Sequence, residues 1–312
     1  MRVLVIGGTG FLGRCVVGRL VAAGHKVHVP TRRLSHARAL QVHPTVTVLQ
    51  ADVYDDDVLN KLVLDCEIVI NLVGILHSRS GQPYGEDFDL AHVQLPKRIA
   101  LACRRNHVKQ FLHVSALGAS ATGPSGYLRS KAAGELAIRE VYAAPSTDPQ
   151  PGSFTFFRPS VIFGPEDQFM NMFARLARFF PVFPLAGSKA RMQPVFVVDV
   201  ARALINTLDN PRAAGKTYDL AGPRSYTLGE LVSLAALWSG HPRTVIDMPM
   251  SIGRMQAWMF ERLPGAPLMS RDNLDSLTVD NVSDGPISPD LGLVPTPLES
   301  IAPVYLQPTR VG

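Results

Sequence analysis

The chain has 312 residues, 46% of them hydrophobic and 18% charged, which is ample material for one large α/β domain or a nucleotide domain with a smaller lobe. Its formal charge of +5 suits phosphorylated ligands or an anionic membrane surface, and the absence of a dense basic run argues against nucleic acid. No apolar run is long enough to span a membrane, Met1 leads straight into an apolar strand, and Cys15, Cys66 and Cys103 lie in apolar segments, so a cytoplasmic protein with reduced cysteines is expected.

The segment MRVLVIGGTGFLG organises the rest of the chain. Residues 3–6 are a short apolar run bounded at once by glycine, which predicts a buried parallel strand. Gly7, Gly8, Gly10 and Gly13 come next, and residues 11–23 resume a helical apolar pattern. Strand, glycine turn and helix are the parts of a dinucleotide-binding crossover. The early glycines let the backbone approach a pyrophosphate, Gly13 lets the helix lie close to the strand, and the helix N-terminus faces the phosphate charge. The spacing fits G-x-x-G-x-x-G from Gly7 and G-x-G-x-x-G from Gly8, in the strand-to-helix context the motif requires. The plain alternative is a glycine-rich turn with no ligand.

Further strands are predicted at residues 25–29, 46–49, 68–72, 110–114 and 154–158. Between them lie an acidic helix start at Asp55, a helix ending near Asn106, a helix over 126–142 and a Pro/Ser/Asp-rich loop over 144–152. Such alternation argues for a doubly wound parallel sheet. From about Phe163 the pattern becomes mixed, and most phenylalanines crowd between Phe154 and Phe183, which predicts a small C-terminal lobe. Residues 194–198 are expected to return to the main domain as a strand, and 199–208 as a helix capped by Asp199. Residues 227–238 are expected to form a helix in which Glu230 has capping-box spacing. The expected division is a dinucleotide-binding domain over 1–160, completed by about 194–222, with a substrate or partner lobe over 161–193 and 223–312.

Tyr127 and Lys131, in the run GYLRSKAAGE, share one helical face about a turn apart. A phenol titrates near ~10 and is a poor acid or base at neutral pH unless a nearby cation favours its anion. A lysine one turn away is such a cation and can also bond ribose hydroxyls. Ser115, at the end of the fifth strand, is placed to bond the same substrate oxygen. With the glycine loop these residues form a catalytic constellation; the plain alternative is a surface pair. No metal site is expected.

The glycine loop, Asp52, the run 71–74, Ser115, Tyr127, Lys131, Arg158-Pro159, Phe163-Gly164-Pro165 and Val198-Asp199-Val200 occur in the order of the extended and atypical short-chain dehydrogenase/reductase superfamily, which the chain resembles over residues 1 to about 220. The runs YLRSKAAGE, RPSVIFGPEDQFMN and QPVFVVDVA, with the late TPLE, resemble one branch of it. That branch holds the NADPH-binding accessory subunit of respiratory complex I and its bacterial NAD-dependent epimerase/dehydratase-like relatives. The resemblance implies a Rossmann sheet and a nicotinamide dinucleotide. It implies that Gly7, Thr9, Gly10, Phe11 and Leu12 line the pyrophosphate, with Gly13 behind them. Asp52 and Val53 would meet the adenine, and Leu72, Val73 and Gly74 the ribose side. Pro159, Ser160 and Val161 would frame the nicotinamide. Ser115, Tyr127 and Lys131 would be the catalytic triad, the last two also holding the nicotinamide ribose. Asp52 as a mere helix cap and Asn71 as a tie between strands are the plain alternatives.

Cofactor type turns on the end of the second strand. An acidic residue there would bond the ribose 2′-hydroxyl of NAD; this chain has Thr31, Arg32 and Arg33. Two guanidiniums suit a 2′-phosphate by charge and by their planar donor fork, so NADP(H) is expected ahead of NAD(H), against a plain reading as solvated arginines. Many catalytic members of the superfamily carry an asparagine, in the helix after the fourth strand, that helps hold a proton-relay water. His92 stands at that position, as a relay of its own or as a packing residue.

Two functions are compatible with this pattern. One is an NADP(H)-holding structural, assembly or redox-sensing protein docked on a membrane-associated respiratory complex or a membrane surface. The other is a working reductase, epimerase or dehydratase on a sugar nucleotide or, as the phenylalanines suggest, a quinone- or lipid-like substrate. In MPMSIGRMQAWMFERLPG, residues Ile252, Met255, Trp258, Met259 and Leu263 fall near helical spacing beside Arg254 and Arg262, as a docking face or as lobe packing.

Overall fold

The computed structural model describes residues 1–145, 152–208, 210–263, 265 and 267–307. Most of the loop expected over 144–152 therefore lies outside the described residues. Strands β1 (Arg2–Ile6), β2 (Lys26–Thr31), β3 (Val46–Gln50), β4 (Ile68–Asn71), β5 (Gln110–Val114) and β6 (Ser153–Pro159) form one parallel sheet in the order β3-β2-β1-β4-β5-β6. The short strands β7 (Ile162–Phe163), β8 (Val182–Ala186), β9 (Arg191–Met192) and β10 (Val195–Phe196) come next, and β11 (Thr217–Leu220) rejoins the sheet beside β6. Strand order reverses between β1 and β4, and ligands of doubly wound sheets bind at that reversal, outside the carboxyl ends of the strands. Here Ile6 pairs with Asn71, which puts the glycine turn against residues 72–74.

Alternation along the strands explains the layering. Val3, Val5, Val27, Val29, Ile68 and Ile70 enter one core, with Val16, Val17 and Leu20 of α1 (Phe11–Ala22). Leu4, Ile6 and Val69 enter the other, with Leu59 and Val63 of α2 (Asp56–Val63). Helices thus cover both faces, as buried parallel strands require. Asp55 caps α2, accepting from the N–H groups of Asp57 and Val58, so Asp52 is not the cap of this helix.

The helix expected to end near Asn106 is three pieces: α3 (Glu86–Phe88), a π-helical segment (Asp89–Gln94) and α4 (Leu95–Arg105). It lies beside α5 (Gly126–Ala143), where a Cβ on Gly134 would fall 1.9 Å from the His92 carbonyl oxygen. Gly134 therefore permits the close approach of α5 to the His92 backbone.

The lobe has its own core. Phe163, Phe173 and Phe183 pack with Met170 and Ala174 of α6 (Phe169–Ala177). The phenylalanine-rich stretch is therefore largely lobe core, although Phe179 and Phe180 are exposed. The strand expected over 194–198 is corrected to β10, which pairs with β7 rather than with the sheet. Val197 already begins α7 (Val197–Asn206), which packs on α1. Asp199 is inside that helix, not its cap, and its buried carboxylate accepts from the Thr296 N–H at 2.6 Å. Next, β12 (Tyr226–Thr227) leads into α8 (Leu228–Trp238), which starts with the expected Thr227–Glu230 capping box. The chain continues through β13 (Thr244–Met248), α9 (Met250–Phe260), α10 (Arg271–Ser276) and α11 (Leu298–Leu306).

Candidate functional site

Gly7 has φ +84°, in the region glycine favours, and a Cβ there would lie 3.1 Å from the Leu72 carbonyl carbon. Gly13 is demanded by packing, since a Cβ would meet the Gly7 oxygen at 2.3 Å and the Gly8 Cα at 2.6 Å. Gly10 is different. It has ordinary extended geometry as the N-cap of α1, and a Cβ there would meet only the Gly7 oxygen, at 3.3 Å. The chain itself hardly needs glycine at this point, and the space beside it is open. Thr9 and Leu12 are half-buried around the turn, and Phe11 packs towards Gly164, whose Cβ would meet its ring at 3.1 Å. The first turn of α1 carries no acidic residue and no side-chain cap, which leaves its N–H groups and positive dipole end for an anion.

At the adjoining strand ends, Arg32 and Arg33 are exposed, with no ion pair to either among the described residues. Thr31 accepts from the Arg33 N–H at 3.3 Å. Asp52 is exposed and forms a local turn with the Tyr54 N–H at 3.1 Å, while Val53 packs against the core. Asn71 does tie strands together: its Nδ2 donates to His113 Nδ1 of β5 at 3.1 Å, and its Oδ1 accepts from the Val73 N–H at 3.1 Å.

The second half of the site is gathered by β5 and α5. Ser115 is buried and its Oγ has no partner among the described residues. Buried hydroxyls are normally satisfied; this one, at the carboxyl end of β5, is left free to bond a ligand oxygen. Lys131 is buried, donates to the Val114 carbonyl at 3.3 Å, and lies where a Cβ on Gly74 would come within 3.2 Å of Nζ. Glycine at 74 therefore leaves space for the amine. Tyr127 is half-buried, edge-on to Phe88 and His92, with Lys131 Nζ 6.0 Å from its ring centre. Pro159 ends β6 and accepts from the Leu117 N–H at 3.0 Å, and Val161 lines the lobe core. Ser160 is turned away to Asn281, donating to its Oδ1 at 2.5 Å, so its hydroxyl is engaged within the protein.

One expectation about this chemistry changes, and the open choice at His92 narrows. The Tyr127 phenol is not drawn down by a neighbouring cation. Burial and then the Asp272 charge push it up to about 12, while burial pulls Lys131 down to about 8 against the opposing charge of Glu135. His92 is not a free relay. Its Nε2 accepts from the Ile75 N–H at 3.1 Å, so the neutral ring carries its proton on Nδ1, facing Ser130 Oγ at 2.9 Å. Ser130 in turn donates to the Tyr127 carbonyl at 2.8 Å. Burial, then Lys131 and His113, hold the ring neutral, with its pKa lowered to about 2. Both nitrogens of His92 are committed.

Several contributors escaped the sequence reading. Glu135, one turn beyond Lys131, is buried and takes a bidentate pair from Arg158 at 2.8 and 2.6 Å. Asp167 accepts from the N–H groups of Gly164 and Met170 and from Tyr305 Oη, fixing the turn that Phe11 packs against. Asp272 of α10 reaches the start of α5. Only Glu135 had a sequence signal, its spacing from Lys131.

Over residues 3–221 the chain matches the NAD dependent epimerase/dehydratase family. It is 37% identical over 306 residues to the Mus musculus protein named NADH dehydrogenase (ubiquinone) 1 alpha subcomplex subunit 9, mitochondrial, covering 95% of this chain and 77% of that one. It is 30% identical over 253 residues to the ceramide reductase of Caulobacter vibrioides, covering 79% of this chain and 73% of that one. Its fold is similar to that of an NADPH-dependent quinone oxidoreductase from Escherichia coli solved with NADPH, at TM-score 0.74 and 21% identity over 97% of this chain and 99% of that one. The matched span contains the glycine turn, the Ser115–Tyr127–Lys131 cluster and the last strand of the sheet. The chain therefore belongs to the NAD dependent epimerase/dehydratase family, whose members bind a nicotinamide dinucleotide.

Proposed function

We propose that this protein holds NADP(H) as a structural or assembly cofactor while docked on a membrane-associated respiratory complex. The observation that carries the reading is the state of the Tyr127 region. The phenol is held protonated, and His92 at the relay position has both nitrogens bonded within the protein. A proton relay needs a ring nitrogen free to exchange with water or substrate, and His92 has neither free. Gly7, Thr9, Gly10, Phe11, Leu12 and Gly13 would cradle the pyrophosphate, Asp52 and Val53 would meet the adenine, and Leu72, Val73, Gly74 and Lys131 the riboses. The unpartnered Ser115 hydroxyl, the open side of Gly10 and the space at Gly74 all fit such a ligand. When bound, the nicotinamide supplies a hydride donor or acceptor; the residues around it supply position.

The partner contact falls on α9. Gly253 and Ala257 bury one side of this helix, and a Cβ on Gly253 would lie 2.3 Å from the Ala186 Cβ, which shows how close the packing is. The opposite side exposes Ile252, Met255, Trp258, Met259 and, just beyond, Leu263, with Met255 at 60% and Leu263 at 62% exposure. The stripe is therefore not lobe packing. Arg254 pairs with Asp275 and Arg262 stacks 3.5 Å over Trp258, so both arginines already have partners within the protein. A large exposed apolar stripe of this kind marks an interaction surface, and the relatives named as respiratory-complex subunits favour a protein of that complex as its occupant. Among the described residues no helix is long and apolar enough to cross a membrane, which is consistent with peripheral attachment.

A second reading, a working reductase, is favoured by the unpartnered Ser115 hydroxyl, one residue after the Val114 carbonyl that Lys131 bonds, and by the ceramide reductase relative. Tyr127 would then exchange the hydroxyl proton of a lipid-like carbinol.

Cofactor choice gives a direct test. NADPH should bind more tightly than NADH, because Arg32 and Arg33 meet the 2′-phosphate. Replacing both with alanine should erase a preference on the order of 1.5–3 kcal/mol per charge-assisted contact. Equal affinities for the two cofactors in the unmutated protein, measured by calorimetric titration, would contradict the assignment.

A further inference from the structure

Helix α5 is capped from two directions. Ser125 Oγ accepts from the Leu128 N–H at 3.2 Å, which is ordinary local capping. The first two N–H groups of the helix, those of Gly126 and Tyr127, donate instead to the two oxygens of Asp272, at 2.6 and 3.1 Å. Asp272 belongs to α10 in the lobe and is 145 residues from Tyr127 in sequence. Gly126 makes the seat: a Cβ there would stand 3.1 Å from Asp272 Oδ1 and 3.3 Å from the Tyr84 Cβ. A carboxylate on two N–H groups at the positive end of an 18-residue helix is a strong, charge-assisted contact.

The helix that carries Asp272 is itself anchored to the surroundings of the site. Asn273 closes a capping box with Ser270 and donates to the Leu76 carbonyl at 3.3 Å, in the loop after β4. Arg271 bonds Glu261 through its N–H and Nε at 2.7 and 2.9 Å, and Asp275 pairs with Arg254 of α9. His77 also faces this cluster, with Asp272 and Glu261 as its charged neighbours, while Arg129 acts on Asp275. One acidic side chain therefore joins the turn bearing Tyr127 to the helix pair bearing the exposed stripe.

We propose that Asp272 is a positioning residue that couples the nucleotide site to the α9–α10 pair, so that seating of the lobe and cofactor binding at Tyr127 and Lys131 each stabilise the other. This rests on the cofactor-holding reading for the identity of the ligand, but not for the contact itself. A ligand that orders the first turn of α5 firms the two N–H donors and hence the seat of α10. Linkage makes the effect reciprocal. The same carboxylate charge acts on the phenol, adding to burial in keeping it protonated.

The test uses the full chain, with Asp272→Asn compared against Ser125→Ala. Ser125→Ala removes the other cap of the same helix without touching the lobe. Hydrogen exchange of the unmutated protein should show added protection of residues 250–276 when NADPH is bound. Asp272→Asn should lose that added protection while still binding NADPH, and Ser125→Ala should keep it. Without nucleotide, α10 should already exchange faster in Asp272→Asn than in the unmutated protein, because its tie to the first turn of α5 is weakened, and should be unchanged in Ser125→Ala. If Asp272→Asn does not fold, Gly126→Ala, which crowds the carboxylate from the opposite side, should reproduce the loss of coupling. Identical behaviour of the Asp272 or Gly126 variant and Ser125→Ala would overturn the proposal, leaving Asp272 a cap and nothing more. Failure of the unmutated protein to bind NADPH would contradict the cofactor reading instead, and the nucleotide-free exchange of α10 would still decide whether Asp272 ties it to α5.

Discussion

Gly10→Val should abolish nicotinamide dinucleotide binding while the fold survives. The backbone at Gly10 has φ −75° and ψ 177°, a conformation that any residue adopts, and an added Cβ meets only the Gly7 oxygen at 3.3 Å. A valine there needs a shift of a few tenths of an ångström, and the stability loss should be about 1 kcal/mol or less. Its two methyl groups would occupy the space through which a pyrophosphate approaches the start of α1. The neighbouring glycines predict the opposite pattern. Gly13, with 2.3 Å to the Gly7 oxygen, and Gly8, with 2.8 Å to a Val29 methyl, cannot take a side chain without moving the strand–helix packing. A thermal melt and a nucleotide titration on each variant separate the two classes. A Gly10→Val protein that binds normally would show that the loop is not the pyrophosphate site.

The second large effect is acid lability. His92 and His113 are buried and neutral. Burial, then Lys131, holds His113 well below its usual range, as it lowers His92 to about 2. In the unfolded chain both rings take up a proton below the ordinary value of 6.5. The unfolded state then binds more protons than the folded one, so stability is full above that pH and falls as the pH drops below it. Each ring contributes a slope of up to about 1.4 kcal/mol per pH unit, and two rings together can exhaust the stability of an ordinary domain within a few units. Denaturant titrations on either side of the ordinary histidine value measure the slope. His92→Asn, which keeps a polar side chain at the position and removes the titration, should flatten roughly half of it. An unchanged slope in that variant would mean that the ring does charge in the folded protein.

How much of this was readable in the chain depended on how local each feature is. The strand β1, the glycine turn and the start of α1 follow from adjacent residues, as does β5, which spans the predicted residues. The Thr227–Glu230 capping box was legible for the same reason. The π-helical segment was not, because one wider turn leaves the apolar spacing of its neighbours nearly intact. The run at 194–198 read as a strand because it is β-branched and apolar, yet Phe196 serves as the N-cap of α7. Asp199 looked like a cap since nothing nearby reveals its partner, the N–H of Thr296. At the site, residue types were legible and their states were not. Tyr127 and Lys131 were found by spacing, but the burial that drives their pKa values apart, and the Asp272 charge, come from distant segments. The commitment of Ser160 to Asn281 is equally non-local.

That the protein acts by holding its cofactor and docking, rather than by turnover, is tested most directly by complementing a deletion strain with Tyr127→Phe and, in parallel, with Met255→Asp/Met259→Asp. Tyr127→Phe should bind NADPH within about 1 kcal/mol of the unmutated protein, the net worth of one hydrogen bond, and should restore respiration. The double aspartate variant should bind NADPH equally well and fail to restore it, since charge is placed on the exposed face of α9. A Tyr127→Phe protein that binds NADPH yet leaves the full deletion phenotype would contradict the holding role. The phenol would then be delivering a proton, and turnover should be found reduced by about 10²–10⁴-fold, the range for a positioned acid.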